Sequence, residues 1–394
     1  MYRKTYIEIG LDKLYNNVES IKKNYNDYQY YIGVVKGNGY GHGSYIVNTL
    51  LEAGINYLAV SSLEEAINIR KYNKDVPILC LEIIDIDCLK EIIENNITLT
   101  VSSLSYLDEL ISSNKENEIK IHLKINTGFN RLGFKNKNEI KEAVSRIKDN
   151  FVLEGIYTHF STLGISDPYW DKQVNTFKEL TSLIDLDKIK IVHLGRSLTL
   201  INHPKLEFAN GIRLGITMFG YNMIPKINNG LKGKIKQIKA NMRIKKHAIS
   251  ETTIECKATL NTCFYLYSHV MEIQKISKDE TVGYGISYKA KEEEHIAIVP
   301  IGYADGLNKK NEGRNVFVNG KKCQIVGSVN MGMIQVKVPL STKIGDKVEI
   351  FGDNVKVAEV AKYLKTTPYE VICMLDNSIP KVYIKNKEII FLEK

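Results

Sequence analysis

The sequence contains no Cys-x-x-Cys pair; its six cysteines, Cys80, Cys88, Cys256, Cys263, Cys323 and Cys373, lie far apart. That spacing argues against a disulfide framework and for reduced thiols. No apolar run approaches the roughly 18 residues needed to span a bilayer, and the opening MYRKTYIEIGLDKL has no apolar core of signal-peptide length. A cytoplasmic protein without a membrane partner is expected. The formal charge of +9 is spread along the chain, with lysines interleaved among Asn and Glu and no basic block carrying aromatics for base stacking. Solvated lysines account for this better than nucleic-acid binding does. A Gly-x-x-x-x-Gly-Lys-Ser/Thr loop is also missing, as are internal repeats beyond βα units and low-complexity linkers. No metal site is expected.

What is present is ordinary soluble composition, 44% hydrophobic and 25% charged, in 394 residues. That length is more than one typical core holds, so two domains are expected. Short apolar runs at Tyr57 to Ser61, Val76 to Cys80, Ile97 to Val101, Ile119 to Lys124, Leu153 to His159, Ile189 to Leu194 and Arg213 to Gly220 alternate with helical stretches. Together with a strand before Lys36 this reads as an α/β fold, a (β/α)8 TIM barrel over residues 1–232. A short strand at Tyr6 to Ile9 and a helix from Leu11 to Lys23 open that domain. Capping boxes are expected at Ser62 to Glu65 and at Thr367 to Glu370. After PKINNGLKG, residues 225–233, the pattern turns to strands and tight turns. Thr253 to Thr259 and Ile334 to Val338 alternate, and an Asn319-Gly320 hairpin signal lies between two apolar runs. A β-rich C-terminal domain over residues 233–394 follows.

Tyr31 to Gly43, YIGVVKGNGYGHG, carries the clearest chemical signal. A buried strand brings the lone amine of Lys36 to its carboxyl end, and four glycines beyond it let backbone N–H groups approach a ligand. Such a lysine is a phosphate contact or an imine-forming amine; a bland strand-to-helix turn is the structural alternative. The string VVKGNGYGHG resembles the cofactor-lysine signature of alanine racemases. Further matches follow in family order. They are KINTGFNRLGF around Lys124 and Arg131, Thr158-His159-Phe160, His193-Leu-Gly-Arg-Ser197, Arg213-Leu-Gly215-Ile216, VGYGISY around Tyr284, and PIGYADG from Pro300.

The resemblance covers Tyr6 to about Tyr383 and implies a pyridoxal 5'-phosphate-dependent amino-acid racemase, an isomerase interconverting L-alanine and D-alanine for peptidoglycan. It implies that Lys36 holds the cofactor and serves as one base, and that Tyr284, reaching over from the second subunit of a homodimer, serves as the other. It implies a phosphate cradle of Tyr40, Ser197 and the N–H groups of Gly215 and Ile216, with Arg213 facing the pyridine nitrogen and His159 against the ring. Arg131 would contact the cofactor phenolic oxygen and the substrate carboxylate, Lys124 could be carbamylated to brace Arg131, and the Met331 N–H would meet the carboxylate.

Several positions depart from that pattern. Gly332 and Gly164 replace acids, Asn377 replaces a tyrosine that closes the pocket, Lys309 and Ser328 stand where arginines are common, Arg196 replaces Asn, and Asn130 replaces a small residue. The altered mouth leaves a serine or broad-specificity racemase as an alternative. A decarboxylase acting on a basic amino acid is a further rival. It would want an acid at the pyridine nitrogen and a catalytic cysteine, where this chain has Arg213 and Tyr284. A non-catalytic cofactor-binding protein of the single-barrel type would have no β domain.

Overall fold

A computed structural model describes residues 3–114, 117–162, 168–222, 235, 238, 242 and 255–393. By internal contacts the chain divides into a barrel unit, Tyr15–Gly37 with Ser44–Leu260, and a sheet unit, Met1–Leu14 with Asn38–Gly43 and Asn261–Lys394. The expected boundary near residue 232 lies outside the described residues.

Strand β1 (Tyr6–Gly10) precedes the eight barrel strands. These are β2 (Tyr30–Val34), β3 (Tyr57–Val60), β4 (Ile78–Cys80), β5 (Ile97–Val101), β6 (Ile119–Lys124), β7 (Phe151–Tyr157), β8 (Ile191–Arg196) and β9 (Gly211–Leu214). They close in sequence order, with β9 returning in parallel to β2. Helices such as Leu63–Arg70, Leu104–Ser113, Lys137–Arg146 and Pro168–Leu180 form the crossovers. Both faces of each strand are therefore covered, and β3, β4, β5 and β9 are buried at every residue. All carboxyl ends share one rim, the end at which such barrels carry their chemistry.

The sheet unit is built from β10 (Phe264–His269), β11 (Glu272–Ile276), β12 (Thr281–Val282), β13 (Tyr288–Lys289), β14 (Glu294–Val299), β15 (Asn315–Val318), β16 (Lys321–Val326), β17 (Ile334–Val338), β18 (Lys347–Phe351), β19 (Lys381–Lys385) and β20 (Glu388–Glu393). Ten strands run in the order β11-β14-β17-β16-β15-β18-β10-β1-β19-β20, while β12 and β13 form a separate pair. The Asn319-Gly320 hairpin joins β15 to β16 with φ of 47° and 80°, the positive values that a two-residue primed turn demands. None of the six cysteines forms a disulfide. Among the described residues no helix is long and apolar enough to cross a membrane.

Four features differ from the sequence reading. Strand β1 joins the ten-stranded sheet, pairing antiparallel with β10 and parallel with β19, and takes no part in the barrel. The expected strand at Thr253 to Thr259 is not formed over its described part. There Lys257 and Thr259 donate backbone N–H groups to the Tyr25 and Ser20 hydroxyls of the barrel unit. At Ser62 the hydroxyl accepts the Glu65 N–H, but the Glu65 carboxylate accepts the N–H of Ser61 at 2.8 Å and of Gly37 at 2.5 Å. Thr367 makes no side-chain cap, and Glu370 accepts the Thr366 hydroxyl instead.

The glycine-rich stretch after Lys36 is a left-handed helical turn. Gly37, Asn38, Gly39, Tyr40 and Gly41 have φ of 62°, 51°, 62°, 54° and 81°. That hand costs an L-residue about 1–2 kcal/mol. Glycine escapes the cost and asparagine tolerates it, so Tyr40 alone bears it fully. Gly41 is further constrained because a Cβ there would lie 2.6 Å from the Ile372 carbonyl oxygen. Gly37→Ala should destabilise the protein by about 1 kcal/mol through backbone strain. Gly41→Ala should cost more, about 2–3 kcal/mol, since the clash adds to the strain. Denaturant midpoints of the two variants check this order, and a reversed order would refute it.

Candidate active site

The rim of the barrel gathers the residues picked out in the sequence. Lys36 stands two residues past β2, Lys124 ends β6, Arg131 lies in the following loop, His159 follows β7, Ser197 follows β8, Arg213 lies within β9, and Gly215 and Ile216 follow it. The loop after β6 folds back on itself. Asn126 donates to the Phe134 carbonyl at 2.9 Å, and Phe134 donates to the Lys124 carbonyl at 2.9 Å. Gly133 is required at that closure, since a Cβ would come within 2.7 Å of the Lys124 oxygen. Asn130 sits at the loop tip with φ of 59°, a conformation that suits asparagine better than most residues. Arg131 then packs 4.5 Å from the centre of the Phe129 ring, whose edge meets His159 at 5.2 Å between centroids.

Arg213 is the buried centre of the arrangement, 3% exposed. Its guanidinium donates to the carbonyl oxygens of Thr158 (2.7 Å), His193 (2.7 Å) and Leu194 (2.9 Å) and to His193 Nδ1 (2.7 Å). No carboxylate pairs with it among the described residues. Burial draws its pKa down to about 10, which still leaves it charged at neutral pH.

Because guanidinium has no acceptor, His193 Nδ1 must accept, and a neutral His193 carries its proton on Nε2. That nitrogen lies 2.8 Å from His122 Nδ1, so the His122 proton in turn sits on Nε2, which faces Glu154 Oε2 at 3.5 Å. Both imidazoles are held below their ordinary pKa, chiefly by burial and with Arg213 adding to it. Glu154 remains ionised: burial would raise its pKa, but His122, Tyr57 and Lys190 hold it down to about 2. Tyr57 donates to it at 2.7 Å and Lys190 at 3.0 Å. One polar line thus runs down the barrel interior from the guanidinium to a carboxylate, and the sequence reading had singled out neither His122 nor Glu154. Its signal was present. In strands that must be buried on both faces, polar residues recur at alternate positions, Thr98 with Thr100 and His122 with Lys124. Gly155 makes room for His122, since a Cβ there would lie 2.5 Å from the imidazole Cε1.

Positive charge dominates the rim. Lys124 has its pKa lowered to about 8, first by burial and then by Arg131, Arg213 and Lys36, with Glu82 opposing them. His159 is held well below its usual range by burial and by Arg213, Arg196, Arg131 and Lys124, so its imidazole is neutral. Ser197 Oγ accepts the Gly215 N–H (2.9 Å) and the Thr217 hydroxyl (2.9 Å), leaving its own proton to donate elsewhere. The Gly215 N–H is thereby engaged, and a phosphate at this position would have to share it. Arg196 directs its guanidinium to the Thr162 carbonyl at 2.6 Å and does not cap the following helix. A rim this rich in cations fits a multiply charged anion.

The remaining predicted residues belong to the sheet unit. The Tyr40 ring lies 5.8 Å from that of Tyr369. Asn377 is exposed and accepts from the Asn38 amide at 3.0 Å. Tyr284 is 78% exposed and Met331 63%. A Cβ at Gly332 would meet nothing within 4 Å. Gly164 lies outside the described residues.

Comparison with known proteins agrees with this geometry. Residues 9–223 match the family model described as alanine racemase, N-terminal domain, and residues 263–383 match alanine racemase, C-terminal domain. The chain is 32% identical to the alanine racemase of Anoxybacillus flavithermus, over 99% of this chain and 97% of that protein. It is 33% identical to that of Halalkalibacterium halodurans, over 99% and 97%. The crystal structure of the Bacillus anthracis alanine racemase with bound L-Ala-P superposes with a TM-score of 0.85 at 31% identity, covering 100% of this chain and 98% of that one.

The lowered pKa of Lys124 is a stability statement. Below pH 8 folding carries the cost of a buried ammonium. Between about 8 and 10.5 the unfolded chain binds more protons than the folded one, so stability rises with pH. Lys124→Met keeps the stem and removes the charge. In buffer free of carbon dioxide its stability relative to the parent should be greatest below pH 8, by up to ~3 kcal/mol, and decline toward pH 10.5. A difference independent of pH in denaturant titrations would contradict this.

Proposed function

The chain belongs to the alanine racemase family, and from that premise we propose that it interconverts L-alanine and D-alanine, supplying D-alanine for peptidoglycan in the cytoplasm. Pyridoxal 5'-phosphate is its cofactor on this reading. The observation that carries it is the buried, carboxylate-free Arg213 at the centre of a cationic rim. Ser197, whose oxygen accepts twice and whose proton remains to be donated, would hold the phosphate together with the Ile216 N–H and a shared Gly215 N–H, with Tyr40 assigned there by resemblance. Lys36 would carry the aldehyde.

Bound there, the cofactor supplies an electron sink that acidifies the α-hydrogen of an attached amino acid. Arg213 would face the ring nitrogen as a donor and could not yield it a proton, because guanidinium stays charged. It keeps the sink modest, which favours prompt return of the proton over side reactions. The neutral imidazole of His159 adds no further charge. Arg131 orients the substrate carboxylate, with the Met331 N–H assigned to it by resemblance. Lys124 fits uptake of carbon dioxide as a carbamate bracing Arg131, since a pKa of about 8 leaves part of the amine neutral at pH 7. Bicarbonate labelled with carbon-13 should then give a carbamate signal that Lys124→Met lacks.

Inversion needs proton carriers on both faces of the α-carbon. Lys36 serves one face and Tyr284 of a second copy of the chain the other. The exposure of Tyr284 (78%), Ile286 (69%) and Met331 (63%) on the sheet unit supports a homodimer that covers them. A chiral assay of the twenty L-amino acids with added cofactor tests the reaction, with rapid D-alanine formation expected and carbon dioxide release or complete inactivity against it. Tyr284→Phe should keep the bound-cofactor absorbance and lose interconversion by at least about a hundredfold. Equal turnover by that variant would remove Tyr284 from its role.

A second substrate is favoured by the mouth residues. Asn377 in place of an aromatic ring and open space over Gly332 fit acceptance of a hydroxymethyl side chain. L-serine should therefore be racemised measurably, and Asn377→Tyr should lower the serine-to-alanine rate ratio. Inactivity of the parent on L-serine would end that reading.

A further inference from the structure

The tyrosine that the proposed mechanism needs sits on an insubstantial support. Strands β12 and β13 have two residues each and pair only Thr281 with Lys289 and Val282 with Tyr288, outside the ten-stranded sheet. Between them Gly283 (φ 76°) and Gly285 (φ 74°) bracket Tyr284 in a three-residue turn. A hairpin this short has no stability of its own in water, so its position must come from anchors beneath it.

Two anchors are visible. On the β12 side, Val282 packs with Ile296 and Val326, and Gly327 lies so close that a Cβ there would be 2.8 Å from the Val282 oxygen. On the β13 side, Tyr288 packs partly on the same cluster and donates its hydroxyl to Glu294 Oε2 at 2.6 Å. The Glu294 side chain is 1% exposed and opens β14, which lies between β11 and β17 in the sheet. Its Oε1 accepts from Lys337 Nζ of β17 at 2.7 Å and from the Lys291 N–H at 3.4 Å. Glu292 stands 3.7 Å from the same ammonium, and Lys289 pairs with Asp279 at 2.9 Å on the exposed side of the hairpin. The carboxylate is thus fixed to a strand of the main sheet, braced by a lysine on the neighbouring strand, and aimed at a phenol four residues beyond Tyr284. Charge on the acceptor makes that phenol contact stronger than a neutral hydrogen bond.

We propose that Glu294 is the positioning residue of the second proton carrier: through Tyr288 it holds the turn that presents Tyr284 in one geometry. The inference rests on the racemase reading, in which Tyr284 serves one face of the substrate. Catalytic geometry is sensitive enough for such a support to matter, since a displacement of about 1 Å can cost about a hundredfold in rate.

The test uses the full chain with its cofactor, comparing Glu294→Gln and Tyr288→Phe with the parent. In deuterium oxide, α-hydrogen exchange is measured separately from L-alanine and from D-alanine. Both variants should slow exchange from one enantiomer by about tenfold or more while leaving the other within about twofold, because only one face depends on the turn. Amide hydrogen exchange over residues 281–289, read without substrate, should accelerate in both variants and not in Tyr284→Phe. Equal slowing of the two enantiomers, or unchanged protection of 281–289, overturns the proposal. A parent that exchanges neither enantiomer defeats the racemase reading instead, and the amide measurement then still decides whether Glu294 holds the turn. If Glu294→Gln does not fold, Tyr288→Phe, which removes one oxygen, carries both measurements.

Discussion

A guanidinium buried without a carboxylate is the constraint from which the barrel unit is organised. Isolating a cation from water costs several kcal/mol unless its donors are met. Arg213 meets that demand with three backbone carbonyls and one imidazole nitrogen, all of them neutral. The carbonyls come from Thr158, just past β7, and from His193 and Leu194 inside β8, where the register with β9 shifts. His193 and His122 then carry the influence of Glu154 toward the arginine without neutralising it. The positive charge is therefore stabilised at a distance and remains available to a ligand. A direct Arg–Asp pair at the same position would have cancelled the field that the rim now projects.

Around that centre the sequence solves two backbone problems. The chain must leave β2 at Lys36 and turn sharply with the wrong hand, and it does so with glycines at alternate positions and a carboxylate from the helix after β3. Glu65 spans from the Ser61 N–H to the Gly37 N–H, so the residue after the lysine is tied to the loop after β3. The loop after β6 solves the second problem by closing Phe134 against Lys124, with glycine where no side chain fits. In both places the catalytic candidates sit beside backbone that is over-determined, and the cost of unusual conformations is carried by residues suited to them.

The legible part of this protein was the part written in periodicity and at strand ends. Lys36, Lys124, Arg131, His159, Ser197 and Arg213 could be located because a parallel barrel puts strand termini on one rim, and the structure gathers them there. What escaped was information that local pattern does not hold. The handedness of residues 37–41 is invisible in hydropathy, although alternating glycines hint at it. The partner of β1 cannot be read from β1 itself, whose alternation suits an edge of either unit. Glu65 and Glu370 obey a capping motif whose nearer competitors, the Gly37 N–H and the Thr366 hydroxyl, only appear in three dimensions. The interior line from Tyr57 to His193 lies inside strands that read as plain barrel staves.

The placement of β1 has a consequence for how the molecule comes into being. Ile7 is paired with Lys381, so β1 must wait for a neighbour that emerges from the ribosome hundreds of residues later. Barrel strands β2 to β9 have all their partners among themselves and can assemble while synthesis continues. The ten-stranded sheet cannot be stitched on both sides of β1 until β19 exists, which makes its completion a late event dominated by distant contacts. A nascent chain stalled before β19 would carry β1 with one flank unzipped, the condition in which strands find the wrong neighbour.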